Sequence, residues 1–280
     1  MRAQACGEPL AGTAPVARRW LCFEHPGPWS RDVSQSPEPA IRSLAARAVE
    51  AGWRMQLIRR PGRRVAPSAA RRVFFADTTP TATRMTELVV TAPEDLATLP
   101  LPADGDLPGA EVPDPVLLVC THGRRDRCCA MDGRALVSAI VGTGETSVWE
   151  STHLGGHRFA PTAAVLPTGY SYGWLDPATA LTALKAARAG EVELTSCRGR
   201  ATWSSAGQVA ELAVRSATGL TDAAAIVDVT VERDRALVTA RDGRRWGVRV
   251  HRAQHQDRPA SCGAKPEPFT AWHAGLIHKA

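Results

Sequence analysis

Long apolar runs are missing from this sequence. No stretch of eighteen apolar residues occurs among its 280, which excludes a membrane-spanning helix. The first twenty residues, with Pro9, Pro15, Arg18 and Arg19, lack the apolar core of a secretion signal, so the expected compartment is the cytoplasm. Lysine is scarce: Lys185, Lys265 and Lys279 are the only three, and arginine carries nearly all the positive charge. Acidic and basic residues are interspersed with no block of one sign, so the formal charge of +6 does not by itself call for nucleic acid. A C-x-x-C dithiol motif is absent as well, which disfavours disulfide exchange. No defensible pair of carboxylates for glycoside hydrolysis stands out either.

Against these absences stand seven cysteines, an odd number in a chain without a secretion signal. A disulfide framework is not expected there, and metal ligation or redox chemistry gains weight. Three of the seven fall in Val119-Cys120-Thr121-His122-Gly123-Arg124-Arg125-Asp126-Arg127-Cys128-Cys129, which follows the apolar run from Pro115. This reads as a strand, then a polar loop with thiols at both ends. Downstream lies His153-Leu154-Gly155-Gly156-His157-Arg158. The H-x₃-H spacing places two imidazoles on one helix face, but the paired glycines favour a loop whose backbone approaches a metal closely. Thiolate and imidazole converging on one point suit an iron–sulfur cluster or zinc, since both take sulfur and nitrogen ligands at short distances.

The segments C-T-H-G-R-R-D-R-C-C and W-E-S-T-H-L-G-G-H-R-F-A-P resemble the sucrase/ferredoxin-like family. His25-Pro26-Gly27-Pro28-Trp29 and Arg258-Pro259-Ala260-Ser261-Cys262-Gly263 agree with it. The resemblance implies a thioredoxin-like [2Fe–2S] ferredoxin with two cysteine and two histidine ligands. These map to Cys120, Cys129, His153 and His157, with Cys128 as the alternative thiolate. Replacing two thiolates by neutral imidazoles lessens the charge repulsion on reduction and raises the potential, as in Rieske centres. A proton on the far side of an imidazole can then leave when the metal is oxidised, coupling proton to electron transfer. Around the ligands, Arg125 and Arg158 are expected to stabilise negative charge or dock an acidic redox partner, Asp126 to tie down the loop, and Gly155 and Gly156 to let the backbone close in. Zinc fits the same ligand types, although the gap between the cysteines exceeds the usual spacing. Cys120-Thr121-His122 satisfies half of a Rieske pattern whose other half is absent, so His122 is assigned to the loop. Cys262 is expected to pack near the cysteine-bearing lobe, and His251 and His255 to lie on the surface. The expected activity is electron carriage rather than catalysis, with a zinc-stabilised binding module or a redox enzyme acting on a small molecule as alternatives.

The order of elements predicts an α/β fold. Residues 1–16 read as a flexible arm. In 17–112, a strand at Trp20–Phe23, a helix over Pro37–Ala51 and strands at Met55–Ile58, Val73–Phe75 and Leu88–Val90 precede a short helix from Pro93. Residues 113–199 repeat this with a strand at Val116–Val119, a helix over Arg134–Val141, strands at Ser147–Glu150, Ala163–Leu166 and Tyr170–Trp174, and a helix at Pro177–Arg188. Both halves carry the thioredoxin order, which predicts a degenerate lobe followed by a ferredoxin lobe bearing the cluster. Residues 200–280 read as an α+β appendage of one helix and three strands.

Overall fold

The computed structural model describes residues 7–62, 70–259 and 265–280. Two sheets form, one of ten strands and one of four. The first repeat contains β1 (Arg19–Glu24), helix α1 (Pro39–Glu50), β2 (Trp53–Arg59), β3 (Arg71–Asp77), β4 (Arg84–Val90) and a short β5 (Ala110–Glu111). The second contains β6 (Val116–Cys120), α2 (Arg127–Val141), β7 (Val148–Ser151), β8 (Ala163–Leu166), β9 (Tyr170–Tyr172), α3 (Pro177–Arg188) and β10 (Cys197–Arg200). Strand order across the large sheet is β10-β9-β8-β6-β7-β2-β1-β3-β4-β5.

That order is a palindrome about the β7/β2 junction. In each half the first two strands pair in parallel through the crossover helix, and the third and fourth join antiparallel beside the first, which is thioredoxin topology. The halves meet where β2 and β7 pair antiparallel, Ile58 opposite Ser151. Ile58 is also the partner of Glu24 at the end of β1, and Ser151 that of Cys120 at the end of β6. A pseudo-twofold axis therefore passes through the Ile58/Ser151 pair. The fold is thus α/β and thioredoxin-like in two lobes. In the first, the terminal helix is reduced to a 3-10 turn at Pro93–Leu96.

Alternation along each strand sends its apolar residues to two faces. Leu117 and Val119 of β6 pack with Leu136, Val137 and Ile140 of α2 and Leu184 of α3. Leu21 and Phe23 of β1 do the same with Ile41 and Leu44 of α1. The opposite face is a core common to both lobes, containing Trp20, Ile58, Leu118, Trp149 and Leu154 together with Cys120 and Cys129.

Three expectations are corrected. The helix after the cysteine loop starts at Arg127, not Arg134: Asp126 caps it by accepting from the Cys128 N–H at 2.8 Å, so both adjacent cysteines sit in its first turn. Residues 8–14 of the arm are packed down. Gly12 donates to the Arg198 carbonyl at 2.9 Å, and the Ala14 backbone exchanges two hydrogen bonds with the buried Gln208 side chain. The C-terminal unit has a fourth strand: α4 (Ser205–Thr218) covers a sheet of β11 (Ile226–Glu232), β12 (Arg235–Ala240), β13 (Arg245–Pro259) and β14 (Pro266–Lys279). Buried Tyr170, Glu211 and Arg215 bind α4 to β9. Cys262 lies outside the described residues, and among those described no helix is long and apolar enough to cross a membrane.

Candidate metal centre

Cys120 is the last residue of β6, and Cys129 the third of α2, so the strand and the helix that follows it present both sulfurs to the same point. Gly133, one turn further along α2, makes this approach possible. A Cβ there would collide with the Cys120 carbonyl oxygen. His153 follows β7 and turns Nδ1 toward the sulfurs, at 3.8 Å from Cys120 Sγ and 3.9 Å from Cys129 Sγ. The three donor atoms lie within 4.8 Å of one another, a group able to hold a metal ion. Both cysteines are fully buried, while His153 is half-buried.

The hydrogen bond between the two buried thiols shifts them in opposite directions. A hydrogen bond from Cys129, with a further contribution from His153, holds the Cys120 thiol well below its ordinary value despite burial. The same bond to Cys120, together with burial, pushes Cys129 up. Both sulfurs bind a metal as thiolates, so metal binding would release their protons.

His157 stands beside this group, its ring centre 5.5 Å from that of His153. Its Nδ1 is buried, and its Nε2 lies 3.8 Å from Asp126 Oδ2, as when a ligand imidazole is oriented by a carboxylate. Asp126 therefore caps α2 and faces His157 at once. Cys128 is outside this group of donors, half-buried and disulfide-bonded, which favours Cys129 as the thiolate of the pair.

The surroundings differ from expectation at Arg158, and the paired glycines serve a neighbouring arginine. Gly155 and Gly156 adopt φ of +90° and +70°, and the missing Cβ of Gly156 leaves space for the Arg198 guanidinium. Arg158 is committed to buried Glu8, whose carboxylate also meets Arg258 of the β13 strand at 2.8 Å. Two arginines without any local sequence signal take its place. Arg198 is buried and donates to the Gly155 carbonyl at 3.1 Å; burial, with Arg158 and Arg54 nearby, pulls its pKa down to about 9. Arg54, on β2, reaches the His153 carbonyl at 3.4 Å and lies over Trp20. His122 is a loop residue, as expected: Nε2 donates to the Ser30 carbonyl at 2.8 Å, tying the cysteine loop to the first lobe. Arg125 is exposed above it.

The sucrase/ferredoxin-like family matches residues 10–199 of the chain, about two thirds of its length. No curated protein and no solved structure matches it.

Proposed function

The chain belongs to the sucrase/ferredoxin-like family, and on that premise we propose that Cys120, Cys129, His153 and His157 hold a [2Fe–2S] cluster and that the protein carries single electrons. The observation that carries this reading is the convergence of two buried sulfurs and an imidazole nitrogen from three separate elements, with a second imidazole beside them. A cluster held by two thiolates and two neutral imidazoles supplies one-electron exchange at a higher potential than an all-cysteine one. The protein's own part is electrostatic and positional. Arg54 and Arg198 place buried positive charge near Cys120, which favours added negative charge at the site. Asp126 sets a carboxylate 3.8 Å from His157 Nε2. His153 turns one ring nitrogen inward, so the other is the atom from which a proton can leave. Exposed Arg124 on the loop and Arg127 at the start of α2 suit an acidic redox partner.

Zinc is the second reading, and the donor spacing favours it. Zn–S of about 2.3 Å and Zn–N of about 2.0–2.1 Å imply roughly 3.6 Å between ligand atoms on a tetrahedron, near the 3.8 and 3.9 Å observed. Anaerobic purification decides between the two. The cluster reading expects a red-brown protein with equal iron and acid-labile sulfide and, once reduced, an EPR signal of mixed nitrogen and sulfur ligation. A colourless protein with one zinc and no sulfide overturns it.

A further inference from the structure

Beside the metal centre, the first lobe and the cysteine loop border an open cleft of about 850 Å³. Its size falls in the range of small-molecule sites. One wall is apolar and belongs to α1, with Ala45, Ala46 and Val49; the far wall carries His122, Arg125 and His153. Four guanidiniums line it, those of Arg31, Arg42, Arg54 and Arg125, against the single carboxylate of Asp32. That carboxylate is already engaged by the Ser34 N–H and hydroxyl at 3.0 and 2.7 Å. Arg42 is likewise engaged by the carbonyls of Ser36 and Pro37.

Arg54 differs from the others. Its Nε is buried with no hydrogen-bond partner, and no carboxylate among the described residues pairs with it. Its guanidinium also lines the cleft, where it is a ready partner for a bound anion. The apolar α1 wall would remain uncovered by a bare inorganic ion, so the occupant needs an organic body as well.

We propose that this cleft is a binding site for a small organic anion, with its charged group against Arg54 and Arg125 and its apolar part along Ala45, Ala46 and Val49. The first lobe, which has no cysteine at its matching site, thereby acquires a role: it forms the wall that holds the ligand against His153. This inference is independent of which metal the centre holds.

Isothermal titration of the full chain, metal-loaded as isolated, tests it with three probes. Phenyl phosphate is expected to bind saturably at one site, inorganic phosphate about tenfold more weakly, and neutral benzyl alcohol not measurably. Arg54→Gln is expected to weaken phenyl phosphate by at least about tenfold. Ala46→Glu, an exposed change that touches no metal donor, is expected to do the same by adding negative charge to the wall. Metal content is measured on both variants, and Ala46→Glu decides if Arg54→Gln loses its metal. No saturable binding by about 10 mM phenyl phosphate overturns the proposal. Equal binding of phenyl and inorganic phosphate, or unchanged binding in Ala46→Glu, also overturns it. Because the readout is heat, failure of the iron–sulfur reading leaves this test intact.

Discussion

Glu24 and Cys120 occupy the same place in two copies of one framework. Each ends the first strand of its lobe, and the next residue donates its N–H to the strand partner, His25 to Ile58 and Thr121 to Ser151. One helix turn in, the third residue of α1 is Ile41 where that of α2 is Cys129, and the seventh is Ala45 where α2 has Gly133. The lobes thus share a backbone and differ at the few side chains that face the strand end. In the first lobe these bury a carboxylate, which accepts from the Arg72 N–H at 3.2 Å, and an aliphatic side chain. Chemistry resides in the substituents, and the scaffold is indifferent to it.

Breaking that difference should have its largest effect at Cys129. Cys129→Ala is expected to abolish metal binding, measured as iron or zinc per chain. Ile41→Ala, its counterpart, should leave the metal in place and cost only packing, about 2–5 kcal/mol of unfolding free energy. Full metal content in Cys129→Ala would refute the assignment. Converting the imidazoles sharpens the contrast further: His153→Cys and His157→Cys should each retain a cluster at a potential lower by up to some hundreds of millivolts, read by redox titration. An unchanged potential and spectrum in both would mean the rings are not ligands.

Gly133→Ala copies the first lobe's residue into the second. Where Ala45 is tolerated, the same Cβ on α2 meets the Cys120 carbonyl, and a loss of about 1–3 kcal/mol in denaturant unfolding is expected. The smallest effect concerns Glu145 after α2, which pairs with Arg188 at 2.8 Å. That bond, ahead of the opposing cost of burial, lowers the carboxyl from 4.5 to about 2. Its contribution is complete above pH about 4.5 and disappears as pH falls toward 2, so Glu145→Gln should flatten the acid limb of a stability-versus-pH curve in that window.

Much of this was legible because it is local. Strand–loop–helix order gave the paired lobes, and the cysteine and histidine loops supplied the three donors that converge, Cys120, Cys129 and His153. The start of α2 was obscured by Arg127-Cys128-Cys129-Ala130-Met131-Asp132-Gly133, whose glycine and charges read as loop although Asp126 was a legitimate cap. The strand from Pro266 was hidden by its prolines and Gly275. Arg54 and Arg198 carried no signal at all. Arg54 owes its position to the register that sets it opposite Trp20, and Arg198 to a gap left by a glycine more than forty positions earlier. Likewise, nothing near residues 8–14 announced that Gln208 would hold them.

The axis through Ile58 and Ser151 has a consequence for ancestry. Two identical copies of one such unit, joined about that axis, would form an isologous homodimer with the same ten strands. Such an assembly would depend on concentration and would be obliged to carry the same residues in both members. Fusing the copies into one polypeptide frees the association from mass action and lets one member diverge, trading its sulfurs for a different occupation while its partner keeps them.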